Sequence, residues 1–409
     1  MPWKEVTAVN ERVEFVARLK AGERMADLCR EFGISRKTGY KFAQRYEEHG
    51  PKGLYDVSRR PKRLARQISA GIQTAILELK REKPTWGALK IQEVLRRKHP
   101  EMEVPVRSTI HDLLDRYGLV KKRSTRRRYH AYPTLREDDI KAANQLWCAD
   151  FKGQFRMGNA KYCYPLTVTD FHSRYVIGCE AMESTQSESA KQGFEMMFRE
   201  YGLPTRIRTD NGVPFSSRSV QGLSPLSVWW MRLGIQLERI EPGKPQQNGR
   251  HERMHRTLKE EIPPRSAKNL LAQQEQLDRF REDFNERRPH EALKMKCPAD
   301  LYKPSLKRYP ESLPEPSYPH HDLVRTVHDN GAICLRGKQS VFISRALIDQ
   351  TIGLEEEQDG IWRINFMDLD LGFLDEETMK FSPISPEHSD HRLRKRDREH
   401  SPKVGNQNA

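Results

Sequence analysis

The spacing of the apolar residues changes once along the 409-residue chain, near Pro133, and this change limits the possible folds most. Before Pro133, apolar residues recur every three or four positions, which is the spacing of amphipathic helices. After it, short apolar runs alternate with helical stretches, which predicts a mixed sheet with helices packed on it. The sequence therefore predicts a multidomain protein with an all-α first third and an α/β body.

Charge changes at the same place. Residues 1–130 contain 31 Lys and Arg against 16 Asp and Glu, whereas residues 131–409 contain 41 of each, so the net charge of +15 lies in the first third. A basic head on a neutral body favours binding of a polyanion, and nucleic acid is the leading candidate. On charge alone, a surface that is merely soluble remains the alternative.

Several classes of protein are excluded or disfavoured. No run of 18 apolar residues exists, so no membrane span is expected. The first residues, MPWKEVTAVNERVEF, lack the apolar stretch of a secretory signal, which favours a cytoplasmic protein. The six cysteines are scattered without a CxxC pair, so we expect neither a structural zinc site nor a disulfide framework.

The apolar spacing in the first third predicts two helical units, at residues 1–57 and 70–120. In the first unit, Gly33 ends one helix and Ser35 caps the next, which is basic. This is the helix-turn-helix pattern, whose second helix enters the major groove. An ordinary three-helix bundle is the alternative. The candidate DNA contacts on the basic helix are Arg36, Lys37, Lys41 and Arg45.

Two basic linkers follow these units. Residues 58–69 begin with SRRPK, and residues 121–134 contain six basic residues within eight positions. Such runs are typical of connectors that lie along DNA phosphates, although a solvated linker is the simpler alternative. The candidate contacts of the second linker are Lys121, Lys122, Arg123, Arg126, Arg127 and Arg128.

Residues 135–305 predict an α/β domain built on a mixed five-stranded sheet. Its strands are expected at residues 146–151, 162–169, 175–179, 206–210 and 235–240. Residues 320–382 contain short strands separated by turns, which predict a small β-barrel. Residues 386–409 are polar and are expected to be disordered.

Three acidic residues stand where strand ends and a helix can bring them together. Asp150 and Asp210 lie at the ends of predicted strands, and Glu252 lies in the first turns of a helix after a Pro-rich loop. Ligands bind at that edge of an open sheet, and carboxylate oxygens are the ligands that Mg²⁺ prefers. Two such ions, about 3.5–4 Å apart, serve phosphoryl transfer. Each acid alone is more simply a solvated carboxylate.

Basic residues surround Glu252. Helical spacing predicts His255, Arg256 and Lys259 on its side of the helix, and Lys244 precedes the helix in the loop. We expect Lys244, Arg256 and Lys259 to contact DNA, while routine pairing of Glu252 with Arg256 is the alternative. Asp170 also follows a strand, but the sequence favours a role in ordering its turn over metal binding.

Four motifs resemble those of a known family. WCADFKG, RTDNGVPF and PGKPQQNGRHERMHRTLK closely resemble the three acidic motifs of DDE transposases related to retroviral integrases. FNERRPHEALKMKCPADLY is similar to the segment that closes their catalytic core. The resemblance covers about residues 135–305, and helix-turn-helix units of this kind are common in bacterial insertion-sequence transposases.

The resemblance implies a ribonuclease-H-like core, with Asp150, Asp210 and Glu252 as catalytic acids and as ligands of two Mg²⁺ or Mn²⁺ ions. The spacing between Asp210 and Glu252 is longer than is common in the family, and the resemblance implies extra residues around Ser216–Pro225. Retroviral integrases also carry a zinc-binding N-terminal module. This chain lacks its ligands, so no zinc is expected.

The function implied is that of an insertion-sequence transposase in the bacterial cytoplasm, associated with the nucleoid. Such a protein binds the terminal inverted repeats of double-stranded DNA, cleaves the 3′ ends and joins them to target DNA. It assembles as a homo-oligomer on DNA, without a membrane. Two alternatives remain open at this point: a helix-turn-helix regulator or transposase relic without catalysis, and a ribonuclease-H-like nuclease without strand transfer.

Overall fold

The computed structural model describes residues 8–56, 68–120, 139–241, 244–262, 267–335 and 339–384. The chain divides into two compact units, Met1–Ser69 and Ala70–Ala409. Within the described ranges, every helix is too short or too polar to cross a lipid bilayer. The predicted contacts at Lys121, Lys122, Arg123, Arg126, Arg127 and Arg128, most of the linker at residues 58–69 and the predicted tail lie outside these ranges.

Three helices form the first unit: α1 (Ala8–Lys20), α2 (Met25–Glu31) and α3 (Arg36–His49). Ser35 caps α3 as predicted, since its hydroxyl accepts a hydrogen bond from the Thr38 amide at 3.2 Å. The helices pack closely, because a Cβ at Gly39 of α3 would lie only 2.7 Å from Cys29 Sγ of α2. This arrangement presents the basic first turn of α3 on the surface.

A second helical bundle begins the larger unit, with helices α4 (Ala70–Glu82), α5 (Ala88–Lys98) and α6 (Arg107–Arg116). It is tied to the α/β body by polar contacts. Lys83 Nζ lies 2.6 Å from Asp283 Oδ1, and Arg97 donates a 2.7 Å hydrogen bond to the Met295 carbonyl. The N-terminal third is therefore helical, as the sequence predicted.

The body contains a mixed sheet. Its strands are β1 (Leu146–Phe151), β2 (Phe155–Arg156), β3 (Tyr162–Asp170), β4 (Val176–Met182), β5 (Arg206–Thr209) and β6 (Gln236–Arg239). Strand β3 pairs with β2, β4 and β1 in antiparallel fashion, and β1, β5 and β6 run parallel. The sheet is consistent with the ribonuclease-H-like core. Strand β2, which has only two residues, is the sixth strand that the sequence did not indicate.

Helices cover both faces of this sheet. They are α7 (Ser187–Tyr201), α8 (Pro225–Arg232), α9 (Gly249–Glu261) and α10 (Leu270–Glu282). Helices α7 and α8 share a core with Trp147 and Ala149 of β1, whereas α9 and α10 pack on Val176 and Cys179 of β4. Because strand side chains alternate between faces, this places α9 against the face that also carries Cys148 and Asp150.

The C-terminal region is a β structure with the strands β7 (Leu323–Thr326), β8 (Ala332–Cys334), β9 (Ser340–Phe342), β10 (Thr351–Gln358), β11 (Ile361–Phe366), β12 (Leu369–Asp375) and β13 (Lys380–Pro383). The predicted barrel is not confirmed. Among the described strands, β13-β12-β11-β10-β7 form an open sheet and β8-β9 a separate ribbon, around one shared core. Strand β10 has a weak sequence signal, because its apolar residues stop at Leu354 and Glu355–Gln358 are polar.

Candidate active site

Asp150 and Asp210 occupy the same edge of the central sheet. The parallel register of β1 and β5 pairs Leu146 with Arg206 and Cys148 with Arg208. Two residues further along, this register reaches Asp150 on β1 and Asp210, directly after β5. The two carboxylates therefore lie side by side where parallel strands end, which is the edge at which open sheets bind ligands.

The turn after β5 holds the Asp210 carboxylate. The Gly212 amide donates a 3.1 Å hydrogen bond to Asp210 Oδ1, and a Cβ at Gly212 would lie 3.0 Å from Oδ2. The Asn211 side chain donates a 2.9 Å hydrogen bond to the Ile240 carbonyl, so it fastens this turn to the end of β6. The Asn-Gly pair thus shapes the backbone around Asp210.

Helix α9 contacts β3 through two buried histidines. Thr167 donates its hydroxyl proton to the Asp150 carbonyl at 2.9 Å. Its oxygen also lies 2.8 Å from His251 Nε2 and 2.7 Å from His255 Nε2. Because a hydroxyl has one proton, both histidines must donate to Thr167. The Thr169 hydroxyl, 2.8 Å from His251 Nδ1, supplies the remaining proton, so this network is complete.

These histidines are neutral. Burial lowers the pKa of His251 to about 3 and, with the nearby His251, lowers that of His255 to about 2. His255 lies about 60° from Glu252 around α9, but it is only 8% exposed and contacts the sheet through Thr167. Its Nδ1 lies 3.8 Å from Asp150 Oδ2. Glu252 itself is exposed.

The charges of the three acids are coupled. The pKa of Asp150 is raised to about 7, first by burial and next by Asp210, with a smaller contribution from Glu252. Lys152 opposes this shift, which makes it a neighbour of the site that the sequence reading overlooked within WCADFKG. Among the described residues, no three His, Cys, Asp or Glu side chains are drawn together closely enough to hold a metal ion. The acids therefore face one another without forming a closed ligand set.

The predicted DNA contacts that the structure describes are mostly on the surface. Arg36, Lys37 and Lys41 are exposed on α3, whereas Arg45 is half-buried. Arg256 and Lys259 are exposed on α9. Lys244 is exposed but forms an ion pair with Glu241, so its charge is partly compensated.

Four family models match the chain. Integrase core domain models match residues 141–245 and 233–298. A helix-turn-helix domain model matches residues 11–62, and a homeodomain-like domain model matches residues 38–114. The integrase core matches therefore include Asp150, Asp210 and Glu252.

Known proteins align with part of the chain. An insertion element IS407 uncharacterized 31.7 kDa protein of Burkholderia multivorans is 27% identical over 161 residues, covering 39% of this chain and 56% of that protein. The Gag-Pol polyprotein of Baboon endogenous virus is 34% identical over 116 residues, covering 28% of this chain and 6% of the polyprotein. The chain thus spans about half of the first relative and a small part of the second.

A solved structure aligns with part of the chain. The HTLV-2 integrase catalytic core domain, in complex with magnesium, aligns with 40% of this chain and 98% of its own, at 15% identity and a TM-score of 0.30. The family matches and the insertion-element relative confirm the resemblance to insertion-sequence transposases, since models of a helix-turn-helix domain and of an integrase core domain match the same chain.

Proposed function

We propose that this protein is a DDE-type transposase that cleaves the 3′ ends of an insertion sequence and joins them to target DNA. The observation that supports this most is the placement of Asp150 beside Asp210, with Glu252 near enough to raise the pKa of Asp150. Carboxylates held together in this way repel one another, and a divalent cation offsets that repulsion.

The donor set fits Mg²⁺ or Mn²⁺, because it consists of carboxylate oxygens at a solvent-accessible edge. Asp150, Asp210 and Glu252 are the residues that would hold two such ions. When bound, the ions activate the attacking oxygen and stabilise the leaving oxygen. The Thr167 network keeps α9 against the sheet and so keeps Glu252 beside the two aspartates.

The reaction proceeds in two exchanges at phosphorus. Water first displaces the 3′ oxygen of the element end and leaves a 3′-hydroxyl there. That hydroxyl oxygen then bonds to a target phosphorus, and the target's own 3′ oxygen leaves with the proton. Each exchange forms one P–O bond and breaks one, so no redox partner is needed.

The basic residues are assigned to DNA by position. Arg36, Lys37, Lys41 and Arg45 would contact the terminal inverted repeats from α3 in the major groove. Lys244, Arg256 and Lys259 would hold the strand that enters the acidic site. The linker residues 121–128 would follow phosphates, and two DNA ends would be paired by a homo-oligomer assembled on DNA. The protein would act in the bacterial cytoplasm at the nucleoid.

The proposed domain organisation follows the same assignment. It comprises DNA-binding helical domains at residues 1–57 and 70–120, linkers at 58–69 and 121–134, a catalytic core at 135–305, a β domain at 320–382 and a tail at 386–409.

The test uses the full chain, a labelled duplex that carries the element end, and Mg²⁺. We expect strand cleavage by the natural protein and its loss in Asp210→Asn and Glu252→Gln. Glu260→Gln is the matched control, because Glu260 is an exposed glutamate on the same helix and the charge change is identical.

Cleavage without a joined product would support the nuclease alternative. DNA binding without cleavage by the natural protein would support the regulator alternative. Full activity in Asp210→Asn or Glu252→Gln would contradict the proposed roles of these acids.

A further inference from the structure

A second site lies on the other flank of α9. It is a cavity of about 160 Å³. Its basic lining residues come from four separate parts of the fold and are Lys90, Arg174, Arg250, Arg253, Arg288 and His290.

The geometry of α9 separates this cavity from the acidic site. At about 100° per residue, Arg250, Arg253 and Thr257 lie within one third of the helix circumference, and Arg250 lies about 160° from Glu252. The buried face with His251 stands between the two flanks. The cavity is therefore not an extension of the candidate active site.

Acidic groups compensate only part of this positive charge. Arg288 forms a 2.6 Å ion pair with Glu261. Asp170 also lines the cavity, but Oδ1 accepts from the Asn144 amide at 2.7 Å, and Oδ2 accepts from the Ser173 amide at 2.7 Å and its hydroxyl at 2.6 Å. Its carboxylate is therefore committed to the turn after β3.

Lys90 and Arg174 make no side-chain hydrogen bond or ion pair with the part of the chain that the structure describes. Glu260, Glu261 and Glu291 act on Lys90 only from a distance. The charged groups near Arg174 are Arg250 and Arg253, which repel it. Both cations therefore face the cavity without a counter-ion in contact.

The burial of these cations and their closeness to one another lower their pKa values. Burial, followed by the charge of Arg288, lowers the pKa of Lys90 to about 8. Burial, followed by Arg250 and Arg253, lowers the pKa of Arg174 to about 10. Cations are thus held together, partly desolvated, where an anion would stabilise them.

The ring of His290 adds no contact for an anion, although this residue lines the cavity. The His290 ring donates one N–H to the Phe284 carbonyl, and its buried Nε2 has no hydrogen-bond partner among the described residues. With that proton on the other ring nitrogen, the neutral ring leaves Nε2 as an acceptor, which an anion does not satisfy.

We propose that this cavity binds a phosphate group of a DNA backbone. Guanidinium groups match phosphate oxygens with paired hydrogen bonds, and the lysine adds a point charge. The assignment to DNA rests on the function proposed above, whereas binding of a phosphate group does not. Free phosphate is the other source of the same chemistry. Because Lys90 belongs to the second helical bundle and the other cations to the body, a bound phosphate joins the two.

The first experiment measures thermal unfolding of the full chain against inorganic phosphate. The variant Lys90→Gln/Arg174→Gln is compared with Lys303→Gln/Arg308→Gln, which removes the same charge from exposed positions. We expect phosphate to raise the Tm of the natural protein and the control saturably, by mass action, and to leave the cavity variant unchanged. An equal rise in all three proteins would overturn the proposal.

Arg253→Gln guards against a folding defect, since Arg253 is exposed and its loss leaves the interior intact. We expect this single variant to weaken the phosphate response severalfold. An unchanged response, with the fold intact, would also overturn the proposal.

The second experiment distinguishes DNA from free phosphate. Duplexes carry one methylphosphonate linkage, which is uncharged, at successive positions. We expect a methylphosphonate at one position to weaken DNA binding by the natural protein but not by the cavity variant. The slope of log affinity against log salt should be smaller in magnitude by about 0.9 for the cavity variant than for the natural protein. If phosphate raises the Tm but no single methylphosphonate position weakens DNA binding, the cavity binds free phosphate and the assignment to DNA is wrong.

Glu252→Gln separates this inference from the proposed catalysis. We expect it to lose cleavage and to keep the phosphate response of the cavity. If the natural protein cleaves no DNA but the cavity variant still loses the phosphate response, the proposed function fails and the phosphate site stands.

Discussion

The two ends of the ladder between β1 and β3 each carry an aspartate, and the two aspartates have opposite surroundings. Asp150 pairs with Thr167 at one end, and Asp170 pairs with Trp147 at the other. Burial raises the pKa of both carboxyl groups. Around Asp170, hydrogen bonds from Ser173 and Asn144 oppose that shift, whereas around Asp150 two further carboxylates add to it. The difference separates an aspartate that holds a turn from one whose charge is left for a ligand.

The flanks of α9 extend the same contrast. Glu252 faces the Asp150 end, and Arg250 and Arg253 line the basic cavity at the Asp170 end. One helix therefore borders a negative site and a positive site, each of which is only partly compensated by opposite charges. A DNA strand with a bound metal suits the first, and a phosphate suits the second.

The largest expected effect is on catalysis at the Asp150 end. Asp150→Asn keeps the shape but removes a ligand charge, so we expect cleavage of the end-containing duplex to fall on the order of 10³-fold. The Tm should stay the same or rise, because the amide relieves the repulsion from Asp210. Asp170→Asn is the comparison, and we expect it to keep its cleavage rate per folded molecule. Loss of cleavage by Asp170→Asn with its fold intact would contradict the different roles of the two aspartates.

The next effect is on stability at the Asp170 end. Asp170→Ala leaves three buried or partly buried donors without their acceptor, so we expect the free energy of unfolding to fall by about 3–4 kcal/mol. Urea unfolding followed by tryptophan fluorescence measures this, since five of the six tryptophans lie in residues 70–409. A change below about 1 kcal/mol would contradict the structural role of this carboxylate.

A smaller effect concerns pH at the cavity. Burial and the nearby cations lower the pKa of His290 to about 3, below its ordinary value, so the unfolded chain binds a proton before the folded chain does. His290 therefore contributes stability above about pH 6.5 that is lost as pH falls towards 3. Between pH 6.5 and 5 we expect His290→Gln to reduce this loss by about 2 kcal/mol, measured by urea unfolding. If the free energy of unfolding changes equally with pH in both proteins, His290 does not contribute to this pH dependence.

Short sequence patterns predicted several features of the fold. The bounds of β1 agree with the apolar run LWCADF, and the Ser35 cap follows from the preference of helix starts for such side chains. The adjacency of Asp150 and Asp210 followed from the rule that parallel strands end at one edge. These features depend on short segments or on general topology, so one sequence suffices for them.

Other features depend on contacts between distant segments. The contact of His255 with the sheet is made by Thr167, 88 residues earlier, and helical spacing alone could not indicate it. The basic cavity combines Lys90, Arg174 and Arg288, which have no shared motif. Strand β10 forms because its neighbours complete its hydrogen bonds, which offsets its polar second half.

The single proton of the Thr167 hydroxyl has a mechanical consequence. Since both ring nitrogens must donate to one oxygen, α9 can neither slide nor rotate without leaving a buried nitrogen unpaired. The backbone distance between Glu252 and the two aspartates is thereby fixed. If an ion binds as proposed, the acids would close around it through the side-chain torsions of Glu252, because the backbone of α9 is held in place.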